Sequence, residues 1–169
     1  TLESSALPPI GPPLITASTD SVPLGARQGQ TLVVDAGGVV GDNFNAGLGS
    51  RIVIEEGGVV GKNLESVGAE VTITGGTVEG IDAVGGSQVT MSGGSVGDYI
   101  LARDGSHVTI FGGSTARISV SGGSYLTMNA GSVRSIGASN GSLTMNGGSV
   151  DRLWANDGSQ VTIAGGSLG

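Results

Sequence analysis

The phrase "VTMSGGSV" at residues 89–96 is preceded by "VTITGGTV" at 71–78 and followed at the far end by "VTIAGGSL" at 161–168. A phrase that recurs at a fixed distance is the mark of a repeat architecture, and no other feature constrains the fold as much. The Gly-Gly pairs, or their Ala-Gly equivalents, start at 37, 57, 75, 93, 112, 130, 147 and 165, at spacings of 17 to 20 residues. A second mark, usually Gly-Ser, falls at 49, 68, 86, 105, 123, 141 and 158.

Three short apolar pieces lie between the marks. The first is a pair at spacing two, as in Val71/Ile73, Val89/Met91 and Val108/Ile110. The second is one residue per repeat: Val40, Val60, Val78, Val96, Thr115, Val133, Val150 and Leu168. The third pairs a large with a small residue, as in Leu64/Ser66, Ile81/Ala83 and Ile100/Ala102. Spacing of two is strand alternation, not helical periodicity.

A unit of three such strands buries its apolar face only by stacking under the next one, so the pattern predicts an all-β, single-stranded β-solenoid. Seven full coils start at 32, 52, 71, 89, 108, 126 and 143, with a partial eighth at 161. Stacked strands about 4.8 Å apart give a rod roughly 35 Å long. Inward spacings in the coil from 71 run 2, 5, 3, 2 and 6. That irregular pattern fits a looser, right-handed β-helix better than a hexapeptide helix.

Composition agrees with a thin core. Of 169 residues 34 are glycine, aromatics are 3% and charged residues 12%, while 37% are hydrophobic, mostly small aliphatics. The net charge of −7 disfavours nucleic acid and anionic membranes as partners. It is unevenly spread: residues 1–100 carry eleven acids against three bases, residues 101–169 three acids against four arginines. Without cysteine there are no disulfides and no thiolate chemistry. No apolar run reaches the roughly 18 residues of a membrane span.

The rungs "GSQVTMSGGSV" and "GSHVTIFGGS" resemble those of bacterial surface β-helices such as pertactin-like autotransporter passenger domains, over about residues 32–169. That resemblance implies export and an adhesive or structural role, and carries over no functional residue.

The two ends depart from the pattern. Residues 1–30 hold all five prolines and read as a Pro-rich extended arm or linker, with 31–169 as the repeat domain. Ile10, Leu14 and Ile15 make the arm apolar enough to dock on its own solenoid or on a neighbouring copy. The chain stops mid-coil at "GGSLG". The expectation is either a piece of a longer solenoid or an end covered by another copy, end to end.

Catalytic signatures are weak. His107 is the sole histidine and reads as a turn residue, so triads and His-based metal sites fail on count. "GGSVGD" at 93–98 lacks the glycine that calcium-binding rolls need, because Val96 occupies its place. No cofactor is expected. Outward Thr72, Thr90, Thr109, Thr127, Thr144 and Thr162 form a column of the kind that orders water in ice-binding solenoids, but β-branched threonine is common on exposed strands. Arg117, Arg134 and Arg152 sit on successive coils, and Trp154 is outward; together they suit polysaccharide or a subunit contact. The sequence therefore points to a non-enzymatic, extracellular or cell-surface fibre subunit or adhesin stalk. Polysaccharide binding is the alternative, followed by ice binding.

Overall fold

The apolar pairs at spacing two are strands, and they stack. In a computed structural model, which describes residues 13–156 and 158–169, the chain forms a β-solenoid of nine rungs with no helix among the described residues. One sheet holds nine parallel strands, from Leu14–Thr16 and Thr31–Val34 through Gln88–Met91 to Gln160–Ile163. Pairing keeps like with like: Val71, Val89, Val108, Leu126 and Leu143 lie directly above one another. Each is at most 1% exposed. In this first sheet, then, each repeated phrase contributes one rung.

The second sheet has eleven strands, and its construction changes along the rod. Early coils carry separate pieces, Val39–Val40 and Asn45–Ala46, then Val59–Val60 and Leu64–Val67. Asn43 and Asn63, with φ of 60° and 58°, break the strand between them. From Thr77 onward the two pieces fuse into eight-residue strands such as Thr77–Val84 and Ser95–Ala102. No residue at these later bends has positive φ. At each such bend the pairing skips a residue, as at Ala116 and Arg134, and Ser95–Ala102 carries one extra residue there, a register irregularity between Val96 and Tyr99. The three apolar pieces of each coil thus form three strands early and two, one of them bent, later.

The rod has one more rung than the glycine marks count. Leu14–Thr16 pairs in parallel with Thr31–Val34, and Ile15, 4% exposed, sits on Leu32. The prolines hide this rung in sequence, yet Pro13 still contributes, its carbonyl accepting from the Thr31 amide at 2.7 Å. The turn after the strand is fixed by carboxylates. Asp35 accepts from the Ser18 hydroxyl at 2.7 Å and the Ser18 amide at 3.2 Å, and Asp20 accepts from the Thr16 amide at 2.8 Å. The Ser18 hydroxyl holds the Asp35 carboxyl below its ordinary pKa. A lowered folded-state pKa stabilises the turn above the unfolded value and is lost as pH falls through the folded one. Acidification into and below the carboxylate range therefore releases the first turn before the rod. Hydrogen exchange will show residues 16–20 losing protection first.

The Gly-Ser mark has a structural reason. Ser87, Ser106 and Ser124 are fully buried at the corner before the first-sheet strand. The Ser87 hydroxyl lies 2.7 Å from the Ser66 carbonyl and 2.8 Å from the Val84 carbonyl, and accepts from Ser66 Oγ and the Ala69 amide. Ser106 repeats the contact, donating to the Arg103 carbonyl at 2.7 Å. A buried corner exposes backbone groups to no water, so a compact hydroxyl must satisfy them. Ser87→Ala strands the Ser66 hydroxyl and the Ala69 amide together, and is expected to cost about 2 kcal/mol in chemical denaturation.

The core is a narrow slot between the sheets. One wall carries Ile54, Ile73, Met91, Ile110, Met128 and Met145, the other Ile81/Ala83, Ile100/Ala102, Ile118/Val120 and Ile136/Ala138, all nearly inaccessible. Burial fades at the last rung, where Val161 is half-buried and Ile163 is 47% exposed.

Candidate ligand face

The bend of the second sheet concentrates the unusual surface residues. Just after the irregularity the ladder runs Gly80, Tyr99, Arg117, Ser135, Arg152. Two rungs separate Arg117 from Arg152, about 10 Å, and Ser135 lies between them. The step beyond runs Asp82, Leu101, Ser119, Gly137, Trp154. The periodicity places the three arginines on adjacent coils, and the structure separates them into two positions. Arg117 and Arg152 share one ladder, whereas Arg134 precedes Ser135 and stands one place along the strand. Pairing of these coils is uniform, 18 residues from Arg117 to Ser135 and 17 from Ser135 to Arg152, so Arg134 falls one place short of the ladder.

Two aromatic rings cover glycines. A Cβ at Gly80 would lie 2.9 Å from the Tyr99 ring, and a Cβ at Gly137 2.9 Å from Trp154 Nε1. Each ring rests on the bare backbone of the preceding rung, which fixes it without enclosing it; Trp154 remains 48% exposed. Sequence reading placed Trp154 outward and missed its support. The clue was Gly137, one coil earlier, in a column that side chains fill from Asn45 to Ser119.

Charge on the rod divides between paired and unpaired bases. Arg51 meets Glu70 at 3.6 Å, Lys62 meets Glu79 at 3.3 Å, and Arg103 grips Asp82 through both Nε and Nη2. The hydrogen bond to Asp82 raises the Arg103 pKa, and that to Glu79 raises the Lys62 pKa. No ion pair among the described residues reaches Arg117, Arg134 or Arg152, although Asp151 adjoins Arg152 in sequence. A groove of about 330 Å³ runs across the coils, edged by Ser95, Ser114 and Ser132; of the three arginines Arg134 lines it, with Asp151 at the same C-terminal end. Gly97 and Ala116 leave it open.

Other sequence candidates are spread out. Thr72, Thr90, Thr109, Thr127, Thr144 and Thr162 do form one in-register column. The column beside it is broken by Phe111, 54% exposed, and by Ala164. His107 is not in the turn but opens the strand His107–Ile110, its ring stacked on Tyr125 at 4.7 Å between centroids. Of the arm residues, Ile15 is in the core of its own chain, Leu14 is 57% exposed, and Ile10 lies outside the described residues. No group of three or more His, Cys, Asp or Glu side chains among the described residues is placed to hold a metal ion. Among the described residues no helix is long and apolar enough to cross a membrane. Compared with family models, with curated proteins and with solved structures, the chain matches none.

Proposed function

We propose that this chain is a stiff structural rod of an extracellular or cell-surface protein, a fibre subunit or adhesin stalk without catalytic activity. One observation carries the reading. Nine parallel rungs stack in register over a continuous buried column, from Ile15 and Leu32 through Val89 and Val108 to Leu143, which makes the chain a stiff rod whose length is set by its rung count. A second copy stacked end to end lengthens such a rod by whole rungs. The resemblance of the rungs to bacterial surface β-helices supports the extracellular setting.

Electron microscopy of the 169-residue protein across a concentration series tests the part played by a second copy. The rod reading expects end-to-end assemblies whose length grows in steps of about 40 Å, nine rungs at the strand spacing. Monodisperse single particles at every concentration would remove self-association from it.

A further inference from the structure

We propose that Arg117, Ser135, Arg152 and Trp154, with Arg134 beside them, form a binding site for a linear acidic polysaccharide. The inference is independent of how the rod is extended.

Three observations converge on the site. First, Arg117, Arg134 and Arg152 are exposed on three successive coils and have no ion pair among the described residues, whereas Arg51, Lys62 and Arg103 are each paired with a carboxylate. Arg27, also exposed and without an ion pair among those residues, stands alone in the early coils. They also lie in the one part of the molecule where bases outnumber acids, residues 101–169. Second, Ser135 is only 9% exposed, yet its hydroxyl has no hydrogen-bond partner among the described residues. No buried side-chain oxygen or nitrogen among the described residues is sealed off without a partner, so this hydroxyl reaches the surface, at the ladder position between the two arginines. A largely covered hydroxyl whose ladder neighbours are two exposed arginines is arranged to meet an anionic oxygen. Third, Trp154 lies one step along the same strands from Arg152, supported on Gly137 and 48% exposed.

The tryptophan decides the class of polymer. Guanidinium groups alone accept carboxylate, sulfate or phosphate. A rigid, half-open indole beside them adds a flat apolar platform that suits the C–H face of a pyranose ring and gives a phosphate chain nothing to rest on. Arg117 and Arg152, about 10 Å apart across two rungs, match a polymer whose charges recur along its length. The groove edged by Ser95, Ser114 and Ser132 continues the path along the rod axis from Arg134.

Trp154 is the only tryptophan in the chain, so its emission reports directly on the site. Titration at low salt with polygalacturonate, dextran sulfate, neutral dextran and polyphosphate, alongside calorimetry, tests the assignment. The expected result is a saturable change in Trp154 emission with polygalacturonate or dextran sulfate and none with neutral dextran. Arg117→Gln and Arg152→Gln should each weaken binding about tenfold, and Ser135→Ala about threefold. Arg51→Gln, at an arginine already paired with Glu70, should leave binding unchanged. All four variants change surface or small side chains, and each is first checked for wild-type thermal unfolding. Absence of heat and of emission change with both acidic glycans overturns the proposal. So does binding of polyphosphate alone, or binding of any polyanion that the arginine variants leave intact.

Discussion

Leu126→Asp is expected to unfold the centre of the rod at neutral pH. Leu126 is 1% exposed and lies in the ladder between Val108 and Leu143, each also 1% exposed. Truncation to alanine there removes buried methyl groups and leaves a cavity, a loss of about 3 kcal/mol. A carboxylate adds a charge with apolar neighbours directly above and below, and the effective desolvation penalty is several kcal/mol more. The sum approaches the whole stability of a typical domain. Burial raises the folded-state pKa of the new carboxyl above its unfolded value of about 3.9. The penalty therefore grows as pH rises through that range and is smallest below it. Far-ultraviolet circular dichroism should show strand signal lost at pH 7 and partly regained near pH 3. Because each rung contacts only its neighbours, hydrogen exchange should find the damage greatest on either side of residue 126. Wild-type denaturation at pH 7 would mean that Leu126 is not in a core.

Gly148→Ala has the next largest expected effect, and its neighbour in kind supplies the control. Gly148 has φ of +87°, and a Cβ there would approach Met128 Cε at 2.5 Å and the Gly131 carbonyl oxygen at 2.8 Å. The left-handed backbone alone costs an alanine roughly 1 kcal/mol, and forced repacking of a tight core adds about 2 kcal/mol. Gly123 has φ of +73° with nothing within 4 Å of the added carbon. Gly123→Ala should therefore lose only the backbone part. Urea midpoints should rank wild type above Gly123→Ala and Gly123→Ala above Gly148→Ala. Equal losses would mean that the second glycine of the pair serves the turn alone and leaves no room for methionine.

That pair of glycines shows what was legible in the sequence. The period, the strand alternation and the stacked columns all follow from residues 32–168, because burial against an identical neighbour forces each rung to repeat its chemistry. Val71, Val89 and Val108 had no alternative face to occupy. The first rung was harder to see, since Leu14–Thr16 follows Pro12 and Pro13 and lacks the glycine marks. Its pairing depends on Asp35 and Ser18, which are seventeen residues apart and belong to different coils.

The ligand face was only half visible. Arg117, Arg134, Arg152 and Trp154 stood out by type, but their arrangement depends on which residue each one pairs with on the next coil. Uniform pairing sets Ser135, and not Arg134, between Arg117 and Arg152, and sets Gly137 beneath Trp154. Ser135 carries no signal in a serine-rich chain. Its meaning comes from its position between two unpaired arginines, and ladder pairing is a property of the fold. Likewise the Gly-Ser mark showed in sequence only as punctuation of the repeat, whereas Ser87 and Ser106 satisfy buried corner carbonyls.

The account rests on one claim, that distance along the rod counts rungs and not residues. Cysteine is absent from the chain, so single-site nitroxide labels can be placed cleanly in pairs. Thr72 and Thr162 occupy one outward column five rung intervals apart, and Val33 and Thr162 seven. Pulsed electron paramagnetic resonance should give narrow distributions centred near about 24 Å for the first pair and about 34 Å for the second, a difference of two strand spacings. Broad distributions, or two pairs with the same separation, would contradict a continuous stack of parallel rungs.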